Sequence, residues 1–180
     1  MSTLLHTFPR LSIIMLLFIF SLALSPLTTK ASPLKENQMV PNIYFKDIDN
    51  KEHHLNDYRG KWLFLNFWAG YCDICRKEIP TLIRFQQKYK DKVTLLGISF
   101  GGETNQEVRA AMARYKFNYT IVPGQANITK IFKDVIATPT TIIISPQGRM
   151  ITKAVGRQSW EELIGFINAD IEEPVRIWDM

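Results

Sequence analysis

The sequence contains only two cysteines, Cys72 and Cys75, which lie three residues apart in the segment FWAGYCDICRKEIP. Two thiols at this spacing can form a structural disulfide, supply part of a metal site or exchange electrons with another disulfide. In a redox centre, one sulfur attacks as a thiolate and the other, one helical turn further on, releases the mixed disulfide. The surrounding sequence has to decide among these three chemistries.

The cysteines lie where a buried strand is predicted to end and a helix to begin. Residues 62–68 form an almost unbroken apolar run, typical of a strand that is covered on both faces. Apolar residues then follow at helical spacing from about Asp73 to Tyr89. Cys72 is therefore expected to face the unpaired N–H groups and the positive dipole end of this helix, which stabilise a thiolate. This position favours Cys72 as the attacking thiol.

The two other chemistries fit the sequence less well. A disulfide that closes so short a loop contributes only about 2 kcal/mol through chain entropy. A metal site needs three or four ligands, and the three histidines, His6, His53 and His54, are not at ligand spacing from the cysteines. We expect His53 and His54 to be solvated, because they lie beside a predicted turn. The sequence thus predicts a redox centre, with no metal and no other cofactor.

The elements around this centre alternate between strands and helices. Apolar patterns predict strands at 43–45, 93–100, 140–144 and 150–155, helices at 104–115, 128–132 and 160–167, and turns at 47–51 and 145–148. The order βαβαββα, with a small N-terminal addition, predicts a layered α/β domain.

Several motifs together resemble one known family. The segments LNFWAGYCDIC, RKEIP, ATPTTIIISPQGRM and AVG, and upstream VPNIYFKDIDNKEHHLNDYRGKW, are similar to those of thioredoxin-like TlpA/ResA-type thiol–disulfide oxidoreductases. The resemblance runs from about Pro41 to Ile171. It implies a thioredoxin fold, with a central mixed sheet flanked by helices and an N-terminal β-hairpin extension. It also implies protein substrates that carry cysteine pairs.

The resemblance assigns roles to residues of the site. Cys72 matches the nucleophile and Cys75 the resolving thiol of the redox-active disulfide. The bond between Thr138 and Pro139 is implied to be cis and to face the cysteines. In the family, the backbone beside this proline pairs with an extended substrate segment. Trp68 is expected to serve as core or as a platform for the substrate.

Three polar residues near the cysteines tune the expected chemistry. Glu78 lies three residues after Cys75 on the same helical face and matches an acidic residue of the ResA type. It can handle protons for the thiols or only stabilise the first helical turn, by about 0.3–1 kcal/mol. Asn66 stands where thioredoxins proper carry a buried acid. Asp73 places negative charge beside Cys72, which disfavours its thiolate and predicts a reducing couple.

The ends of the chain have different compositions from the predicted domain at 41–172. In residues 1–31, Arg10 precedes an apolar run of about 17 residues, which fits a cleaved signal peptide or a retained membrane anchor. Residues 32–40 are predicted to be a polar linker and 173–180 a C-terminal tail. By the positive-inside rule, the domain is expected in the periplasm or on the extracytoplasmic face of the membrane.

Charge excludes one large class of partners. The formal net charge is +5, and without residues 1–31 it falls to +3, from 20 basic and 17 acidic residues. Such a mild excess, without runs of Lys or Arg, argues against nucleic-acid binding.

The sequence therefore predicts an exported protein-disulfide reductase. It would be recharged by a membrane thiol donor, with apocytochrome c as one candidate client. The alternatives are a disulfide oxidase or isomerase, or a thioredoxin-like binding or chaperone module with incidental cysteines. A peroxidase is disfavoured, because the chain lacks a Thr-x-x-Cys pattern.

Overall fold

The computed structural model describes residues 34–124 and 126–168. The predicted signal or anchor at 1–31, the start of the linker and the predicted tail at 173–180 lie outside the described residues. Within the described residues, no helix has the length and apolar character needed to cross a membrane.

Two antiparallel strands, β1 (Tyr44–Lys46) and β2 (Glu52–His54), form the predicted N-terminal hairpin as a small separate sheet. A 3₁₀ helix, Leu55–Tyr58, follows it. The turn is closed by the Asp47 side chain, whose Oδ1 accepts hydrogen bonds at 2.9 Å from the N–H groups of Asp49 and Lys51.

A five-stranded mixed sheet with helices between its strands forms the rest of the domain. Its strands are β3 (Trp62–Trp68), β4 (Val93–Ser99), β5 (Thr120–Val122), β6 (Thr140–Ile144) and β7 (Met150–Val155), in the spatial order β5-β4-β3-β6-β7. The helices are α1 (Asp73–Tyr89), α2 (Asn105–Tyr115), α3 (Ala126–Ile131) and α4 (Trp160–Asn168). Strands β3, β4 and β5 are parallel, whereas β6 runs antiparallel to β3 and β7 antiparallel to β6. The predicted layered α/β architecture is confirmed.

Side chains of the central strand β3 alternate between hydrophobic clusters on the two faces of the sheet. Leu65 and Phe67 lie in the cluster that also holds residues of β1 and α3. Phe64 lies on the opposite face, against α1 and α4, where its ring contacts that of Phe85 edge-on. Because both faces are covered, all seven residues of β3 are buried. Packing on both faces therefore fixes the predicted central strand. It also fixes the position of the strand end at Trp68, from which the chain leads to the cysteines.

Helix α2 lies near the start of α1, on the same face of the sheet. One cluster brings Val108 of α2 together with Trp68, Cys75 of α1 and Ile121 of β5. The strand β5 was not predicted from the sequence, because it has only three residues and lies at the edge of the sheet. The cluster that α2 shares with β3, β5 and Cys75 thus places α2 beside the cysteines.

One expectation about the N-terminal region is corrected. His53 is buried rather than solvated: its Nε2 lies 2.9 Å from Asp47 Oδ2, and its Nδ1 lies 2.8 Å from the Tyr58 hydroxyl. The described part of the predicted linker is docked on the sheet. The N–H of Val40 donates to the carbonyl of Gly148, and the Val40 side chain is buried. Val40 is part of the hydrophobic core, and Leu34 packs against it.

Candidate active site

The two cysteines form a disulfide at the start of α1, with their Cα atoms 5.2 Å apart. Cys72 is the N-cap residue, and its Sγ accepts a hydrogen bond at 3.1 Å from the N–H of Cys75. Cys72 is half-buried, whereas Cys75 is only 1% exposed. Of the two sulfur atoms, that of Cys72 is the more accessible to another molecule.

The Thr138–Pro139 peptide bond is cis and lies opposite the disulfide, as the resemblance implied. The carbonyl oxygen of Thr138 is 3.7 Å from the Sγ of Cys72. On the far side, the carbonyl of Pro139 accepts a hydrogen bond at 2.8 Å from the N–H of Gly156. The backbone just before β6 is therefore held next to the reactive sulfur.

Large apolar side chains beside these two segments are exposed. Tyr71 precedes Cys72, Ile74 lies between the cysteines, and Ile136 stands two residues before Thr138; they are 73%, 53% and 90% exposed. Apolar side chains of this size that are exposed near one another are typical of contact surfaces for other proteins.

Trp68 lies beneath this surface, at the end of β3. Its side chain is 2% exposed, and its indole N–H is buried without a hydrogen-bond partner among the described residues. It also lines a groove of about 330 Å³ that runs between α2 and the loop before Cys72, with Tyr71 and Tyr115 on its walls. The structure thus gives Trp68 a core position with one edge towards a surface groove.

Glu78 is buried behind the cysteines and is 1% exposed. Its Oε1 accepts a hydrogen bond at 2.8 Å from the N–H of Gln158, and its Oε2 accepts one at 3.2 Å from Asn66 Nδ2. Burial raises the pKa of the Glu78 carboxyl, although these two donors and the charge of Arg157 act in the opposite direction. Such a carboxyl can exchange a proton closer to neutral pH than an ordinary glutamate.

Asn66 occupies the centre of the sheet and links Glu78 to β6. Its amide nitrogen also donates to the hydroxyl of Thr141, at 3.0 Å. Tyr119 lies on the same side, and the pKa of its hydroxyl is raised well above the usual range, first by burial and then by the Glu78 charge. The acid that thioredoxins proper carry in the strand is thus replaced by an amide that hydrogen-bonds to an acid from the helix.

Asp73, in the dipeptide between the cysteines, carries a negative charge that is paired with a nearby cation. Asp73 forms an ion pair with Arg76, one turn further along α1. Arg76 also donates, through Nη1, to the carbonyl of Gly70 at 3.0 Å. The negative charge that was expected to oppose the helix dipole is therefore partly compensated by a neighbouring cation.

Glu103 is part of this site, although the sequence did not single it out. Its carboxylate accepts hydrogen bonds from the N–H of Gly70, from the hydroxyl of Ser99 and from the N–H of Gly101. Burial tends to raise the pKa of Glu103, but these donors outweigh burial and lower it. The only sequence signal for Glu103 is that an acidic residue follows two glycines, shortly after a predicted buried strand.

Across the part of the chain that the structure describes, no group of three or more His, Cys, Asp or Glu residues is arranged to hold a metal ion.

The chain is similar to known proteins over most of its length. A model of the AhpC/TSA family matches residues 37–153. The thiol-disulfide oxidoreductase ResA of Bacillus thuringiensis subsp. konkukian is 30% identical over 136 residues, 75% of this chain and 78% of that protein. The thioredoxin-like protein YneN of Bacillus subtilis is 29% identical over 132 residues, 72% of this chain and 77% of that protein.

Solved structures show the same fold. The thioredoxin domain of a thiol-disulfide oxidoreductase from Bacteroides vulgatus is 26% identical, with a TM-score of 0.64. The similarity covers 75% of this chain and 99% of that domain. The predicted thioredoxin fold is confirmed.

Proposed function

Since the chain belongs to the AhpC/TSA family, among the ResA-like thiol–disulfide oxidoreductases, we propose that it reduces disulfides in extracytoplasmic proteins through Cys72 and Cys75. The observation that carries the proposal is the placement of Cys72. Its sulfur caps the N-terminus of α1, lies 3.7 Å from the Thr138 carbonyl and adjoins exposed apolar side chains. A client segment could pair with that backbone and bring its own disulfide to this sulfur.

The reaction begins with the reduced protein. The thiolate of Cys72 attacks one sulfur of the client disulfide, forming a Cys72–client disulfide and breaking the client S–S bond. The client sulfur that leaves takes up a proton. The N–H groups at the start of α1 stabilise the attacking thiolate.

Resolution regenerates the protein disulfide. Cys75 loses its proton and attacks the sulfur of Cys72, which releases the second client thiol. Two electrons have then passed from the protein to the client, and the Cys72–Cys75 disulfide has re-formed. We assign proton transfer at Cys75 to Glu78, because it lies one turn further on the same face of α1 and its pKa is raised by burial.

Substrate binding is assigned to Thr138, Pro139 and Trp68. The Thr138 carbonyl lies 3.7 Å from the reactive sulfur, directly before the cis Pro139. Trp68 lines the groove that begins beside Tyr71, so it would support a client side chain placed there.

The proposed compartment rests on the apolar N-terminal segment, and the proposed electron source on the reductase role. The apolar leader would export the chain or anchor it in the membrane, where the oxidised protein would need a membrane thiol donor. Apocytochrome c is one candidate client, since its haem-attachment cysteines must be reduced.

A trapping experiment tests the proposal directly. Cys75→Ala should accumulate mixed disulfides with client proteins, because Cys72 can still attack but nothing resolves the product. Cys72→Ala is the matched control and should accumulate none. Equal trapping by both variants would refute the assigned roles. Full biological function in a variant lacking both thiols would instead favour the binding or chaperone module.

The reduction potential separates a reductase from an oxidase or isomerase. We expect a value nearer to about −270 mV, as in thioredoxin, than to about −120 mV, as in DsbA. Equilibration of the protein with glutathione buffers measures it. A value above about −180 mV would contradict the reductase proposal.

A further inference from the structure

We propose that Glu103 is a positioning residue for Cys72: its carboxylate holds the loop before the cysteine against the end of β4. The inference rests on the proposed function, since it concerns the same reactive sulfur. Glu103 does not touch either cysteine in the hydrogen bonds that it makes, so it acts through the loop.

The donors around Glu103 require an ionised carboxylate. Oε1 accepts from the N–H of Gly70 at 2.6 Å, and Oε2 accepts from the Ser99 hydroxyl at 2.6 Å and the Gly101 N–H at 3.0 Å. A carboxylate only accepts hydrogen bonds, whereas an amide would turn an NH₂ group towards at least one backbone N–H. The position therefore selects for an acid rather than for a polar residue of similar shape.

The packing around the carboxylate leaves no space for a side chain at Gly101. A Cβ atom at Gly101 would overlap Glu103 Oε1 and would lie 2.7 Å from the Cβ of Ala69. Gly101 therefore lets the two loops approach closely enough to share one side chain. The adjacent Gly102 has a positive φ of 78° and open space around it, so it serves the turn and not the contact.

The held loop leads directly to the reactive sulfur. The N–H of Gly70 is bound by Glu103, and its carbonyl is bound by Arg76 of α1. Two residues later, the N–H of Cys72 donates to the carbonyl of Ala69 at 3.1 Å, which closes a turn. Hydrogen bonds to both the N–H and the carbonyl of Gly70 thus hold the backbone that leads to Cys72 at the helix start.

The alternative role for Glu103 is that of a nearby negative charge with no positioning effect. The two roles predict shifts of the Cys72 thiol pKa in opposite directions. If Glu103 acts as a nearby charge, its neutralisation stabilises the Cys72 thiolate. If Glu103 positions the loop, its loss moves the sulfur away from the helix N-terminus and destabilises the thiolate.

The test is the pH dependence of Cys72 alkylation by iodoacetamide in the reduced full-length protein. Peptide mass spectrometry measures the alkylated fraction of Cys72. For Glu103→Gln we expect the midpoint pH to rise by about half a unit, with about threefold slower alkylation at pH 7. The matched control is Glu162→Gln. That carboxylate also accepts a backbone N–H, from Ser159, but at the start of α4. Its midpoint should equal that of the unmodified protein.

A lower midpoint in Glu103→Gln would show a charge effect alone, and an unchanged midpoint would show no effect on Cys72; either result overturns the proposal. Gly101→Ala is an independent variant that displaces the carboxylate without removing it, and it should raise the midpoint in the same way. Gly165→Ala in α4, where a new Cβ would meet nothing within 4 Å, is its control and should not. No client is present in this assay, so failure to reduce clients would overturn the proposed function and leave this inference standing.

Discussion

Two carboxylates flank the disulfide, one in the buried region behind it and one in the loop region before it, and their environments drive them in opposite directions. Glu78 is 1% exposed and has two hydrogen-bond donors, and burial raises its pKa. Glu103 is half-buried and has three donors, which outweigh burial and lower its pKa. Burial and the number of donors, not the residue type, decide which of the two can exchange a proton.

The difference divides the work between the two sides of the cysteine pair. A carboxyl with a raised pKa keeps its proton closer to the pH range in which thiols react, so Glu78 is the better suited of the two to proton transfer. A carboxyl with a lowered pKa stays ionised over that range, so Glu103 suits a fixed structural contact.

The largest effect is expected from Asn66→Asp. The new carboxyl would face Glu78 Oε2 in the place of an amide donor, so two buried acids would share one site. We expect a loss of about 3 kcal/mol in the free energy of unfolding at pH 8, because one charge is left buried and unpaired. The loss should shrink towards pH 4, where both acids can be protonated. Urea unfolding at several pH values measures this.

Thr141→Val is the control for that change. It removes the other partner of the Asn66 amide without adding a charge. Its effect should therefore be nearly independent of pH between 4 and 8. The destabilisation by Asn66→Asp could prove equally independent of pH. The surroundings of Glu78 would then be polar enough to accommodate a second charge, which would contradict the contrast.

The second prediction compares Glu78→Gln with Glu103→Gln. The folded pKa of Glu78 lies above its unfolded value, so Glu78 favours folding below the unfolded pKa, and this contribution is lost as pH rises through the folded pKa. Relative to Glu78→Gln, the unmodified protein should thus lose about 1.4 kcal/mol per pH unit between pH 4.5 and the folded pKa. Chemical unfolding across pH 4 to 8 measures the slope.

Glu103 should show the opposite sign. Its folded pKa is lowered, so its stabilising contribution is present above the unfolded pKa and is lost as pH falls through the folded pKa. Relative to Glu103→Gln, the unmodified protein should therefore lose stability below about pH 4.5. Parallel pH dependence of the two differences would contradict the contrast between the two regions.

Short-range patterns were enough to predict the buried side of the site. The apolar run of residues 62–68 predicted a covered central strand, and the helical spacing after it placed Cys72 at a helix start. The spacing of three residues also placed Glu78 on the face of Cys75. Its burial could not be predicted in this way, because it depends on Gln158, 80 residues away in the sequence.

The loop side of the site was not predicted from the sequence. The partners of Glu103 include the backbone N–H groups of Gly70 and Gly101, which have no side-chain signature. Only the parallel pairing of β3 with β4 brings the ends of these two strands together. The cis bond before Pro139 was expected from the family resemblance alone, since most bonds before proline are trans.

The smallest effect is expected from Asp73→Asn, which changes the charge between the cysteines. Asp73 favours the disulfide by opposing the Cys72 thiolate, so its neutralisation should raise the reduction potential. Because Asp73 is 72% exposed and paired with Arg76, solvent and the cation weaken this opposition. We therefore expect a rise of about 20 mV or less, which should vanish in high salt. Glutathione equilibration of the variant and the unmodified protein measures the difference. A rise above about 60 mV would mean that this surface charge, and not the helix start with its two carboxylates, sets the potential.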